Sequence, residues 1–127
     1  MDNVNMKEDE QTNIINENSN SSSHNVTYEF SGTHFVWDSE KYQLNIQKHS
    51  ISFEEAATVI VDPHTEFYAD DEHSDDEDRF IAIGYSEKLR LLVVCHCMRR
   101  SDSVYRLISA RKASNAEREL YENGDLE

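Results

Sequence analysis

The segment Leu91-Leu92-Val93-Val94-Cys95-His96-Cys97 is the strongest constraint on the fold of this 127-residue chain, because it is a strand-length run that is apolar at odd and even positions alike. Successive side chains of a strand point to opposite faces, so a run of this kind needs a cover on both sides of its sheet. Phe80, Ala82, Val104 and Ile108 carry the pattern into the neighbouring segments. An antiparallel sheet with helices on one side usually alternates apolar and polar residues. The second face therefore calls for either the last helix or another chain. A folded part of about 90 residues is near the small end of what burial alone stabilises, so a homodimer is one way to supply that cover.

The other elements follow from local signals. Phe35-Val36-Trp37 reads as a short strand, and Asp38 as the N-cap of a helix running to His49, with Tyr42, Ile46 and His49 on one face. Ser52-Phe53-Glu54-Glu55 has the spacing of a capping box for a second helix, which should stop at Asp62-Pro63. Four strands are expected at 65–69, 79–85, 89–98 and 103–110, joined by polar turns. Ser114-Asn115-Ala116-Glu117 is a second capping box, opening a last helix to Tyr121 with Gly124 available to end it. The expected order is β-α-α-β-β-β-β-α, an α+β fold in which an antiparallel sheet packs against helices. Residues 1–33, rich in Asn, Ser, Glu and Asp, hold too few apolar side chains to order themselves and are expected to form a disordered tail. The domain is expected over 34–123, with a short C-terminal tail at 124–127.

The formal net charge of −14 disfavours a general nucleic-acid coat or an anionic-membrane binder. That charge is unevenly placed. Residues 66–78 carry eight carboxylates, whereas 88–118 carry Lys88, Arg90, Arg99, Arg100, Arg106, Arg111, Lys112 and Arg118 against Asp102 and Glu117. The two cysteines lie two apart on a strand, where a mutual disulfide is geometrically awkward. No apolar run of signal-peptide or membrane-spanning type is present, so a cytoplasmic location and no membrane partner are expected.

With three glycines in the chain, a phosphate-cradling loop is not expected, and no P-loop, HExxH or CxxC pattern occurs. Cys95-His96-Cys97 is no metal cluster, because strand alternation turns His96 away from both thiols. The acidic stretch 70–78 lacks EF-hand spacing and reads as a solvated loop. If both hairpins have four-residue loops, Arg79, His96 and Tyr105 fall in one cross-strand row. His96 could equally be a core histidine, and Arg79 a strand-edge cation paired to the acidic loop. Lys48 and His49 end a helix, where its dipole alone favours cations. Arg111 and Lys112 leave the sheet just before a helix N-terminus, a setting that attracts phosphate, although strand-end arginines are often only solvated.

Read together, FVWDSEKYQLNIQKHSISFEEAATVIVDP, DRFIAIGYSEKLRLLVVCHC and YRLISARKASNAERELYEN resemble the BrnT family of bacterial type II toxins over residues 34–123. The ordered set W-D, N-x-x-K-H, S-F-E-E-A, D-P, R-F-x-x-I-G, I-S-A-R-x-A and E-R-x-x-Y carries the resemblance. It implies a RelE-like α+β fold and a metal-independent ribonuclease, without cofactor, that arrests translation. It also implies inhibition by a BrnA-type antitoxin, with operator DNA reached only through that antitoxin. The alternative is a catalytically inactive module that serves as a corepressor or as a dimeric interaction domain. Motif positions carried over are Lys48, His49, Arg79, Gly84, Arg111, Glu117 and Tyr121. Of these, Arg79 and Arg111 are expected to stabilise phosphate, His49 and Lys48 to move a proton and supply charge, and Tyr121 to orient or stack. The chain departs from the family pattern at Ser50, where glycine often ends the first helix, in the CHC strand, and in its acidic N-terminal extension.

Overall fold

The computed structural model describes residues 24–70, 78–98 and 103–124. Six strands form one mixed sheet: β1 (Asn25–Phe30), β2 (Thr33–Asp38), β3 (Glu66–Ala69), β4 (Asp78–Tyr85), β5 (Leu91–Met98) and β6 (Val104–Lys112). Helices α1 (Ser39–His49) and α2 (Phe53–Ile60) follow β2, and α3 (Asn115–Asn123) follows β6. The sheet order is β1-β2-β6-β5-β4-β3. Every neighbouring pair is antiparallel except β2 and β6, which run parallel through His34–Val36 and Val104–Arg106. The fold is α+β as expected, but the sheet is not purely antiparallel. No helix among the described residues is long and apolar enough to cross a membrane.

The tail boundary at 33 is corrected by β1, which pairs with all of β2 across a two-residue turn. Ser31 and Gly32 both have positive φ (54° and 77°), as a type I′ hairpin turn requires. Val26, Tyr28 and Phe30 alternate with polar residues and pack half-buried against the core. Residues 1–23 lie outside the described residues, as do 71–77 of the acidic loop and 125–127.

The helix signals are met locally. Asp38 caps α1 by accepting from Lys41 N at 2.9 Å. Ser114 and Glu117 form the full capping box of α3, which ends on Gly124 in the left-handed region. At α2 only half of the expected box forms. Ser52 Oγ accepts from Glu55 N, but the Glu55 carboxylate turns inward to Arg90 and Ser86. Ser50, where glycine was the family habit, ends α1 with φ 59° and donates its N–H to Ile46 O at 2.9 Å.

The double cover required by β5 is supplied within the chain. On one face α1 and α2 bury Phe53, Ala57 and Ile60 against Ala82, Leu92, Val94, Leu107 and Ala110. On the other face Tyr121 of α3 and Ala113 pack against Ile83, Leu91 and Val93. The last helix thus covers this part of the second face, and the apolar argument for a second subunit lapses there.

Gly84 shows why the R-F-x-x-I-G motif ends as it does. A Cβ there would collide with Oγ1 of Thr65 and lie 3.2 Å from the Thr65 Cα. That hydroxyl is itself committed, donating to Val59 O at 2.6 Å, so it cannot swing aside without loss. Gly84→Ala should therefore destabilise by about 2–3 kcal/mol, in the range of core overpacking. An unchanged denaturant midpoint in the variant would contradict this.

Candidate active site

The sheet register decides which candidates meet. Tyr85 pairs with Leu91 and Met98 with Tyr105, so both hairpin connections are longer than four residues. In β6, Ile108 is an extra residue between Leu107, opposite His96, and Ser109, opposite Cys95. The row of Arg79, His96 and Tyr105 is therefore not formed, and Phe80, His96 and Leu107 lie in register instead. Arg79 pairs with Cys97 and belongs to the opposite face, the one on which α3 lies.

His96 is a core residue. It is 1% exposed, with the rings of Phe67, Phe80 and Tyr105 centred 5.5–5.8 Å from its own. Its Nδ1 has no hydrogen-bond partner among the described residues. Burial drives its pKa down from 6.5 to about 4. Because the folded value lies below the unfolded one, stability should be intact above about pH 6.5 and fall on acidification towards pH 4, by about 3 kcal/mol for a shift of this size. His96→Phe should flatten that slope in urea titrations at pH 7 and pH 4.5. A slope unchanged by the substitution would assign the acid lability elsewhere.

The α3 face carries Arg79 beside Cys97, Ser109 beside Cys95 and Arg111 beside Val93. Burial pushes the half-buried Cys95 thiol up, and the Arg79 cation acts against that rise. Arg111 makes a two-pronged pair with Glu117, Nη1 to Oε1 at 2.9 Å and Nη2 to Oε2 at 2.8 Å. Glu117 Oε1 also accepts from Ser114 N at 2.8 Å, so one carboxylate both caps α3 and orients the guanidinium. Arg111 and that cap hold the Glu117 carboxyl down at about 2. Its charge is consequently kept throughout the neutral range.

Lys48 and His49 reach this region because of how β6 is bordered. β2 pairs with β6 only as far as Arg106, so the rest of that edge has no strand neighbour among the described residues. Asn45 of α1 takes the neighbour's place. It is 6% exposed, accepts from Ala110 N at 3.1 Å, and donates to Ala110 O at 2.9 Å and Ile51 O at 3.0 Å. The clamp lays the last turns of α1 along β6. A cavity of about 190 Å³ forms there, lined by Lys41, Leu44, Asn45, Lys48, His49, Ile108 and Ser109. Ser109 lies two residues from Arg111 on the same strand face.

Of the five residues expected at the site, Lys48 and His49 thus meet at one cavity, with Arg111 close along β6 and Arg79 two strands away on the sheet. Tyr121 does not line that cavity and packs on the α3 face against the cluster containing Val93, the register partner of Arg111. Its hydroxyl donates to His64 O at 3.1 Å, and its ring packs edge-on against Tyr85 with centroids 5.7 Å apart. Burial raises its pKa, with Asp62 and Glu66 adding to the rise. Asn45 and Ser109 stand in the N-x-x-K-H and I-S-A-R-x-A motifs, but the sequence assigned neither a role. Asn45 had a signal, since asparagine inside a helix is unfavourable unless its amide has work elsewhere.

A model of the family described as the ribonuclease toxin BrnT of type II toxin–antitoxin systems matches residues 37–117. No curated protein matches the chain. Among solved structures, the Brucella abortus ribonuclease toxin BrnT, determined at 1.1 Å, is 27% identical, with a TM-score of 0.48. That match covers 62% of this chain and 94% of the other. The family match runs from Trp37 in β2 to Glu117 in α3, includes the cavity, Arg79 and Arg111, and takes in more than half of the sequence: the chain belongs to the BrnT family of ribonuclease toxins of type II toxin–antitoxin systems.

Proposed function

We propose that this chain is a metal-independent endoribonuclease that acts in the cytoplasm, arrests translation, and is neutralised by a BrnA-type antitoxin. The observation that carries the reading is the meeting of Lys48 and His49 with Ser109 at the β6 edge, two residues from Arg111. RNA cleavage without a metal needs three services. A base takes the proton of the ribose 2′-hydroxyl, cations hold the phosphorane formed as the 2′-oxygen attacks phosphorus, and an acid protonates the departing 5′-oxygen. His49 with Lys48 supplies the proton transfers, and Arg111 with Arg79 the positive charge. Operator DNA is reached only through the antitoxin.

One observation favours a second reading, an inactive module retained as a corepressor. Two of the Arg111 guanidinium nitrogens are already occupied by Glu117. The pair leaves Nε and one N–H of Nη2 free of Glu117, so a phosphate can still bind from the open side. Induced expression separates the two readings. The toxin should stop growth with loss of cellular RNA, be rescued by the co-expressed antitoxin, and cut purified RNA equally well in EDTA. Growth without RNA loss would leave the corepressor reading, and inhibition by EDTA would overturn the metal-free chemistry.

A further inference from the structure

The cavity beside α1 extends well beyond Lys48 and His49, and the proposed chemistry does not use its other end. Lys41, Asn45 and Lys48 are four and three residues apart and share one stripe of the helix. Asn45 is pinned to Ala110 at the middle of the stripe. Lys41 and Lys48 therefore flank the clamp along the same margin of β6, about 10 Å apart at 1.5 Å rise per residue. Between them Leu44, 57% exposed, and half-buried Ile108 give the cavity apolar walls. Its lining among the described residues includes two lysines, a histidine and a serine but no carboxylate, in a chain whose net charge is −14.

We infer that this groove is a track for single-stranded RNA, in which Lys41 holds a backbone phosphate one or two nucleotides away from the cleavage point and the Leu44–Ile108 walls receive the intervening base or ribose. The inference rests on the ribonuclease reading and extends it to a substrate class. Cations spaced along an edge, with an apolar surface between them, suit a strand that alternates charged phosphates with unpaired bases. A duplex keeps its bases stacked inside a rigid rod and cannot place one between a helix and a strand edge. The edge is also closed to a pairing β-strand at Ala110, because Asn45 already satisfies both backbone groups of that residue.

The test uses the full chain with a short unstructured RNA oligonucleotide and the same sequence annealed to its complement. Binding is followed against salt concentration, and cleavage is followed separately. Lys41→Ala should flatten the dependence of log K on log salt by about 0.7, the loss of one phosphate contact on a single strand. It should raise KM several-fold with kcat little changed, and Lys41→Glu should do so more strongly. Lys88→Ala, on the exposed β4–β5 turn, should change neither quantity. The duplex should compete poorly.

An unaltered salt slope in Lys41→Ala, or equal competition by the duplex, would overturn the track. So would a loss confined to antitoxin affinity, since it would make the groove a protein-docking surface. If the wild-type chain binds RNA with the Lys41-dependent slope yet cuts nothing, the ribonuclease reading fails and the track stands.

Discussion

Arg90→Met should cost about 3–5 kcal/mol at neutral pH, because it strands a buried carboxylate. Glu55 has a side chain 1% exposed, while that of Arg90 is 31% exposed. Arg90 Nε donates to Glu55 Oε2 at 3.0 Å, a second guanidinium nitrogen meets Oε1, and the Ser86 hydroxyl donates to Oε2 at 2.6 Å. Burial alone would raise the carboxyl pKa, but Arg90 and Ser86 outweigh it and hold the group below the usual carboxylate value. In the wild type this contribution is present above the unfolded pKa near 4.5 and is lost as pH falls through the lowered folded value. In Arg90→Met the folded pKa should instead lie above the unfolded one, so the variant regains stability as the carboxyl protonates. The gap between wild type and variant in urea midpoints should accordingly narrow as pH falls from neutral towards 4.5 and keep narrowing as it falls through the lowered wild-type value, and Glu55→Leu with Arg90→Met should recover much of the loss. A penalty as large at pH 4 as at pH 7 would rule out the stranded charge as its cause.

The second large effect concerns activity. His49→Ala should lower kcat on RNA by about 100- to 10,000-fold, the usual range for a lost acid or base. Arg111→Ala should lower it by about 100- to 1,000-fold, as when a preorganised donor to a developing anion is removed. His49→Ala leaves the Asn45 clamp and the buried core untouched, so its folded stability should stay close to wild type. Tyr121→Phe should keep nearly all activity, because its hydroxyl is spent on His64 O. Toxicity retained in both the His49 and Arg111 variants at equal protein level would dissolve the site assignment. A collapse in Tyr121→Phe at unchanged stability would restore that residue to it.

What could be read directly from the chain was local. Asp38, Ser52, Ser114 and Gly124 marked helix ends through bonds that span three or four residues, and each cap formed. The two-sided apolar character of β5 correctly required two covers, because alternation is a property of a strand by itself. Register was not legible. It depends on the length of the turn after Tyr85 and on the bulge at Ile108, and one residue of slip separates Arg79 from the face of His96. β1 was obscured for another reason: the short alternation of Val26, Tyr28 and Phe30 follows a long Asn- and Ser-rich stretch whose composition dominates any window containing it. The site was legible as residue types from the family motifs. Its assembly was not, since Lys48 and His49 reach β6 only because β2 departs after three paired residues and Asn45 fills the vacated edge.

The N-terminal hairpin changes how the acidic extension must be dissected. A deletion starting at His34 would remove β1 together with Val26, Tyr28 and Phe30, which pack on the core, and so would confound loss of the extension with damage to the domain. The informative cut falls just before His24. That residue's carbonyl accepts from Ser39 N at 2.8 Å and its N–H donates to Ser39 Oγ at 3.1 Å. His24, where the extension joins the domain, is therefore fastened to the first turn of α1, two residues from Lys41.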